Sequence, residues 1–441
     1  MRPEDLPCPP VRPGRVVAAF SLAFAAMLVA GPVAADERSR FPWFARKPAP
    51  PLPSLLVSAD DLAGRAAEAQ VVVVDVRARE AFEAGHLPGA VGLGAGPWPE
   101  DFPALCAFLG AAGLSAGSEV VLVDATGDPS TLARPFYDLS RIGHASVRVL
   151  VGGMASWQGE VVEGEVVEGE VVPRPRTERS CQAGEATLRA DELAPQVGLA
   201  GVEILDLRAG WSEDYGAPTV FSVGHVPHAL PFELGDPLPD LSPEGLETLR
   251  QRVLELGPRQ GERVRPGARF VLYDEGPEDD RDVLAFFQLR LVGFDTAVLD
   301  QGLSGWVASE SPLVRLLGTV PLASWLVDTE GYDDAPLVFD LREEWDHRAG
   351  HLPGALSLPA KRVASELLER IGQQRPGAEL AAVPLVFYCY GRDCVRSREA
   401  ASEAARQGAQ WIYWFREGVE GWRAAGFELE QDAPPPGSGA P

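Results

Sequence analysis

The sequence predicts three tandem α/β domains, each a parallel sheet with helices on both faces. Three observations carry this. Apolar β-branched runs such as VVVVDV (from Val71) and EVVLVD (from Glu119) are continuous rather than alternating, so both faces of each strand are covered. These runs alternate with helical stretches such as PEDFPALCAFLGAAG and TLARPFYDLSRIG, the order of an α/β layer structure. One set of motifs then recurs three times in the same order: D-x-R closing an apolar run, G-H-x-P, and a final G-x-x-x-W. The interval from the motif Asp to the closing Trp is 82 residues for Asp75–Trp157, 100 for Asp206–Trp306 and 82 for Asp340–Trp422. Periods this long indicate whole domains in tandem rather than a solenoid.

The elements follow in order along the 441 residues. Arg12 and Arg15 precede the apolar run VVAAFSLAFAAMLVA, and Val33, Ala34 and Ala35 supply small residues before DERSR. Residues 1–35 therefore read as a secretory signal peptide; the run is shorter than the roughly 20 apolar residues of a spanning helix. A periplasmic or secreted protein is expected, with no membrane association once the leader is removed. Residues 36–53 are a Pro-rich lead-in, and 54–158 form the first domain. The linker 159–186 contains GEVVEGEVVEGEVVP, where acidic glycine-containing repeats and flanking prolines favour a tether. The second domain spans 187–312 and the third 316–430, and the tail 431–441 (QDAPPPGSGAP) lacks core-forming residues.

Composition narrows the function. A net charge of −25 and a sequence pI near 4.7 exclude nucleic acid and anionic membrane surfaces as partners, since both require a basic face. The apolar fraction of 46% is ample for packed cores. Of five cysteines, Cys8 leaves with the leader. Cys106 lies in the apolar helical stretch FPALCAFLG and reads as a buried, inert thiol. Cys181, in PRPRTERSCQAGE, reads as exposed, with a bond to Cys106 or to another chain as the alternative.

Cys389 is the reactive candidate. It closes the apolar run PLVFY and opens CYGRDCVRS, which leads into the helical stretch REAASEAARQ. A thiol at a strand end facing the first turn of a helix meets unpaired backbone N–H groups, and these favour the nucleophilic thiolate. Arg392, Arg396 and Arg398 add positive charge. The equivalent position is Asp124 in the first copy (VVLVDATGD) and Asp274 in the second (FVLYDEGPEDDRD), where Glu275, Glu278, Asp279 and Asp280 crowd the loop. The recurring Asp75, Asp206 and Asp340 read as structural. His86, His225 and His351 of G-H-x-P read as turn-fixing rather than metal-binding. No phosphate-cradling glycine loop or metal-ligand cluster stands out, and no cofactor is expected.

D-x-R after a strand, G-H-x-P-G-A, a strand-end cysteine loop and a closing G-x-x-x-W together resemble the rhodanese-like sulfurtransferase superfamily. The resemblance implies the five-stranded version of the fold and a sulfur-transfer cycle. Cys389 would take sulfur from a small anionic donor such as thiosulfate and pass it, as a persulfide, to a thiol or cyanide acceptor. Arg396 matches the family's loop-end arginine, with Arg392 and Arg398 as further donor-binding residues. Cys389 to Arg396 spans eight residues where such loops usually run six. Because a carboxylate carries no persulfide, the first two domains read as catalytically silent, serving as structural support or binding a protein partner. The third domain is also similar to exported rhodanese-like proteins with a C-x-x-C-W motif, associated with PQQ-dependent alcohol oxidation. Here the cysteine spacing is two residues longer and Val395 stands for the motif Trp. Cys394, five residues after Cys389, opens a second reading as a resolving thiol in dithiol redox chemistry. A non-catalytic binding module is the third reading, and a phosphatase of related fold the fourth.

Overall fold

The computed structural model describes residues 55–65, 68, 70–164, 181, 183–199, 201–208, 220–233, 241–254, 268–276, 280–332 and 335–432. The expected leader, the Pro-rich lead-in, residues 165–180 and 182 of the linker, Glu278 and Asp279, and residues 433–441 of the tail lie outside them.

Three five-stranded sheets follow one another. The first is built from β1 (Leu56–Val57), β2 (Val71–Asp75), β3 (Val91–Gly92), β4 (Glu119–Val123) and β5 (Val147–Leu150), in the order β1-β5-β4-β2-β3. The second uses β6 (Thr187–Leu188), β7 (Val202–Asp206), β8 (Ala229–Pro231), β9 (Arg269–Tyr273) and β10 (Asp295–Leu299) in the same arrangement. The third uses β11 (Leu313–Leu316), β12 (Leu337–Asp340), β13 (Leu356–Ser357), β14 (Leu385–Tyr388) and β15 (Trp411–Phe415). Each strand pair is parallel; in the third sheet Leu385–Tyr388 runs beside Leu337–Asp340 on one side and Ile412–Phe415 on the other. Alternate residues of β14 enter different cores. Leu385 and Phe387 pack with Val363, Leu367 and Ala404, while Val386 and Tyr388 pack with Leu322, Val419 and Trp422. Helices cover both faces, which is why the strand sequence shows no polar alternation.

Each domain is closed by the same clasp. The motif histidines exchange two backbone hydrogen bonds with a residue beyond the closing Trp: His86 with Val162, His225 with Val314 and His351 with Glu430. The Trp indole N–H donates to a nearby carbonyl in each case: Trp157 to Glu160, Trp306 to Pro312 and Trp422 to Glu428. In the second domain the clasp residue Val314 also belongs to β11, so one short segment closes one domain and begins the next sheet.

The first two domains share one hydrophobic core. The helix Pro129–Arg141 packs against the helix Arg281–Leu291, with Phe136 edge-on to Phe287 at 5.1 Å and Tyr137 edge-on to Phe286 at 5.3 Å. Arg134 pairs with Asp280 at 3.0 Å across the junction. The third domain has its own cores and meets the second through polar contacts as well as the shared β11 segment. Arg406 donates to the Val197 carbonyl at 2.8 Å, and Ser402 contacts His228 at 3.3 Å.

One cysteine is not where the sequence suggested. Cys181 is buried, not exposed, and is bonded to Cys106, with Cα atoms 6.3 Å apart. Its neighbours in sequence are polar, but this one side chain turns into the apolar cluster shared by the first two domains. The neighbouring chain is held there by Gly184, whose N–H donates to the Arg141 carbonyl at 2.8 Å.

Candidate functional site

One structural position ends the central strand of each sheet, held the same way three times. The carbonyl of Asp124 accepts from the Met154 N–H at 2.8 Å, that of Asp274 from Leu303 at 2.9 Å, and that of Cys389 from Val419 at 3.1 Å. The next carbonyl along, of Ala125, Glu275 or Tyr390, accepts from Ala155, Ser304 or Glu420. These donors open the short helix of the G-x-x-x-W motif. Its glycine approaches so closely that a Cβ at Gly153, Gly302 or Gly418 would lie 2.6, 2.8 or 2.5 Å from that same carbonyl oxygen. All three glycines adopt positive φ, at 55°, 54° and 57°. Both facts restrict the position to glycine.

The side chain at this position separates the copies. In the first domain the Asp124 carboxylate accepts the loop N–H groups of Gly127 and Asp128 at 2.7 and 2.8 Å. In the second, Asp274 accepts from Gly276 at 3.1 Å and from Asp282, at the start of the next helix, at 3.3 Å. The loop backbone thus presents donors to an anion at the strand end, and in both copies the anion is a built-in carboxylate. In the third domain the position is Cys389, 1% exposed. Its sulfur is bonded to Cys394, whose N–H donates to the Gly391 carbonyl at 3.0 Å; the two Cα atoms are 6.1 Å apart.

The loop is surrounded by cations. Tyr390 donates to Asp346, and the guanidinium carbons of Arg342 and Arg396 lie 5.8 and 5.9 Å from its ring centroid. Partial burial and the Asp346 acceptor raise the Tyr390 pKa, so this phenol stays neutral. Arg396 is the first residue of the helix Arg396–Arg406 and is half-buried, consistent with a place at the loop end. Arg392 is largely exposed and pairs with Glu417 at 3.4 Å. Arg398 is buried at 5% and lies within electrostatic reach of His225 in the second domain, away from the solvent-facing part of the loop. The structure therefore gathers Cys389, Cys394, Arg392 and Arg396 at one loop and places Arg398 at the domain junction.

Two residues of the site escaped sequence reading, Tyr390 and Arg342. The signal for Arg342 was present in D-x-R. Asp340 is buried beneath it and receives the Arg342 guanidinium at 2.6 Å and the His347 ring at 3.1 Å. Burial opposes the charge on Asp340, but these two donors prevail and hold its carboxyl below the usual range. Arg342 also donates to the Gly350 carbonyl at 2.7 Å, as Arg77 does to Gly85 and Arg208 to Gly224. The recurring pair is a strut between strand end and G-H-x-P turn, in carboxylate-bearing and cysteine-bearing copies alike.

A thiosulfate sulfurtransferase of Pseudomonas aeruginosa is 25% identical to this chain over 248 residues, 53% of this chain and 82% of that protein. An HTH-type transcriptional regulator of Mycobacterium tuberculosis is 30% identical over 95 residues; the match takes in 22% of this chain and 38% of the regulator. Among solved structures, the 3-mercaptopyruvate sulfotransferase SseA of Escherichia coli aligns over 56% of this chain and 98% of its own, at 19% identity and a TM-score of 0.39. The rhodanese-like domain family matches residues 58–160, 189–309 and 323–425. With three matched segments and three copies of one sheet, the chain belongs to the rhodanese-like domain family.

Proposed function

We propose that this is an exported sulfurtransferase in which only the third domain reacts, carrying sulfane sulfur on Cys389. The observation that supports it is the substitution at one position: carboxylates that fill the loop donors in two copies, and a sulfur nucleophile in the third. Donors that suit the Asp124 carboxylate suit a thiolate or persulfide anion equally. The leader-type segment, with Arg12 and Arg15 before an apolar run, and two disulfides favour a periplasmic or secreted location.

The cycle begins with reduction of the Cys389–Cys394 disulfide by an external dithiol, which is itself oxidised to a disulfide. The Cys389 thiolate then attacks the outer sulfur of thiosulfate; the donor S–S bond breaks and sulfite leaves with the electron pair. Arg396, and Arg392 at the loop surface, would neutralise the approaching dianion. A thiolate or cyanide acceptor attacks the terminal persulfide sulfur, and Cys389 departs as thiolate. The observed disulfide favours a second reading of the same loop, in which Cys394 is a resolving thiol and the pair shuttles electrons between dithiols.

Steady-state assay of the reduced full chain with thiosulfate and cyanide tests the proposal. Thiocyanate should form, and Cys389→Ser should reduce it to the uncatalysed rate. Turnover surviving in Cys389→Ser would defeat the assignment; electron transfer to a dithiol with no thiocyanate would favour the second reading.

A further inference from the structure

We propose that the third domain binds one divalent transition-metal ion through His347, His351 and Asp432. The ligand atoms these three residues offer all lie within 4.8 Å of one another. Both rings are buried and stacked, with centroids 3.9 Å apart and planes 12° from parallel.

The hydrogen bonds show which nitrogen each ring has left to offer. His347 Nδ1 faces the Asp340 carboxylate at 3.1 Å, and His351 Nδ1 faces the His347 carbonyl at 2.9 Å. Both oxygens accept, so Nδ1 donates in each ring and Nε2 is the nitrogen left to face a metal. A ligating imidazole whose other nitrogen donates to a carboxylate or carbonyl is the usual arrangement around protein-bound metals. Asp432 supplies the third ligand. The backbone clasp of His351 with Glu430 carries the chain back over the rings two residues before it. Glu430 adds negative charge, its carboxylate 3.8 Å from His351 Nε2.

Comparison with the other domains isolates the feature. The residue stacked on the motif histidine is Phe82 in the first copy and Phe221 in the second, at centroid distances of 3.8 and 3.9 Å. The stack and the clasp are thus complete with phenylalanine, and His347 is not needed to build them. Only in the third copy does a second imidazole meet a carboxylate on the returning strand. Two imidazoles and a carboxylate suit zinc and its neighbours rather than calcium or magnesium. Zinc bonds of about 2.0–2.1 Å set tetrahedral ligands roughly 3.3 Å apart, and the in-plane lone pairs of the two rings run nearly parallel, so on binding the rings must tilt out of their stack as the site contracts. Both histidines are buried and Asp432 is exposed, so the carboxylate is the ligand that closes in from the solvent side.

The test uses the metal alone on the full chain, with Cys389–Cys394 left oxidised so that no loop thiolate competes. Zinc binding is followed by calorimetry and cobalt binding by its visible absorption. One saturable ion per chain is expected, with the intense visible bands of four-coordinate cobalt. Asp432→Ala should weaken binding at least about tenfold, and His347→Phe, the residue of the other copies, should weaken it about 100-fold or more. His86→Gln should leave it unchanged. If His347→Phe fails to fold, Asp432→Ala decides alone. No saturable ion, or affinity unchanged in Asp432→Ala, overturns the proposal.

Discussion

The first two domains and the third share a strand order, a clasp and a strut, yet differ at the end of one strand. Where Asp124 and Asp274 stand, the loop donors are already satisfied by a fixed carboxylate, and the following helix is committed to the core between the two domains. Where Cys389 stands, the same frame holds a sulfur, and the following helix uses Ser402 and Arg406 to rest on its neighbour. The difference shows how one frame accommodates either a carboxylate or a sulfur at the same strand end. In the carboxylate copies the side chain is itself part of the structure, accepting the loop N–H groups. Apolar continuity lies in the two carboxylate-bearing domains, while the cysteine-bearing domain has its own cores.

The largest effect should come from Cys389→Ser, which removes turnover while Asp124 and Asp274 remain in place, as measured by thiocyanate formation. Next is the shared core. Phe286→Ala should destabilise the first two domains by roughly 3–5 kcal/mol. Calorimetry should then resolve an earlier transition for the silent pair, leaving the third domain's transition nearly in place. A single unshifted transition would show that the silent pair is not one cooperative body.

Acid should loosen the junction of the second and third domains. Burial foremost, with Arg208 and Arg398 adding to it, pushes His225 down to about 4, against the Phe221 carbonyl and Asp206. Its folded value lies below the unfolded one, so between them the unfolded chain binds the extra proton. The contribution of neutral His225 is complete above about pH 6.5 and is lost as pH falls toward 4, a change on the order of 3 kcal/mol. Denaturation of wild type and His225→Gln across that window checks this: the variant should show the shallower slope. Smaller again, Asp124→Ala should cost about 1–3 kcal/mol, because two loop N–H groups lose their acceptor. A neutral result would mean that the carboxylate is not what holds the silent loop.

Much of this was legible in the sequence, and the reason is repetition. Three copies of D-x-R, G-H-x-P and G-x-x-x-W exposed the domain plan, and their alignment singled out Asp124, Asp274 and Cys389. The continuous apolar strands were legible because burial on both faces leaves no polar alternation. What was hidden depends on residues distant in sequence. Cys181 sits in a polar stretch and is buried only because the chain returns across the helix that carries Ser140 and Arg141. Arg398 follows the loop arginines in sequence, but helical geometry turns it toward the second domain. His347 lies in an ordinary charged helix; only the stack on His351 and the returning Asp432 give it a setting.

The central claim is that Cys389 alone carries sulfur, and intact-mass measurement tests it most directly. After reduction, removal of the reductant and exposure to thiosulfate, the full chain should gain one sulfur atom, and peptide mapping should place it on Cys389. Cyanide should remove it, and Cys389→Ser should gain none. A chain that gains no sulfur after verified reduction, or that gains it on a cysteine other than Cys389, would contradict the account.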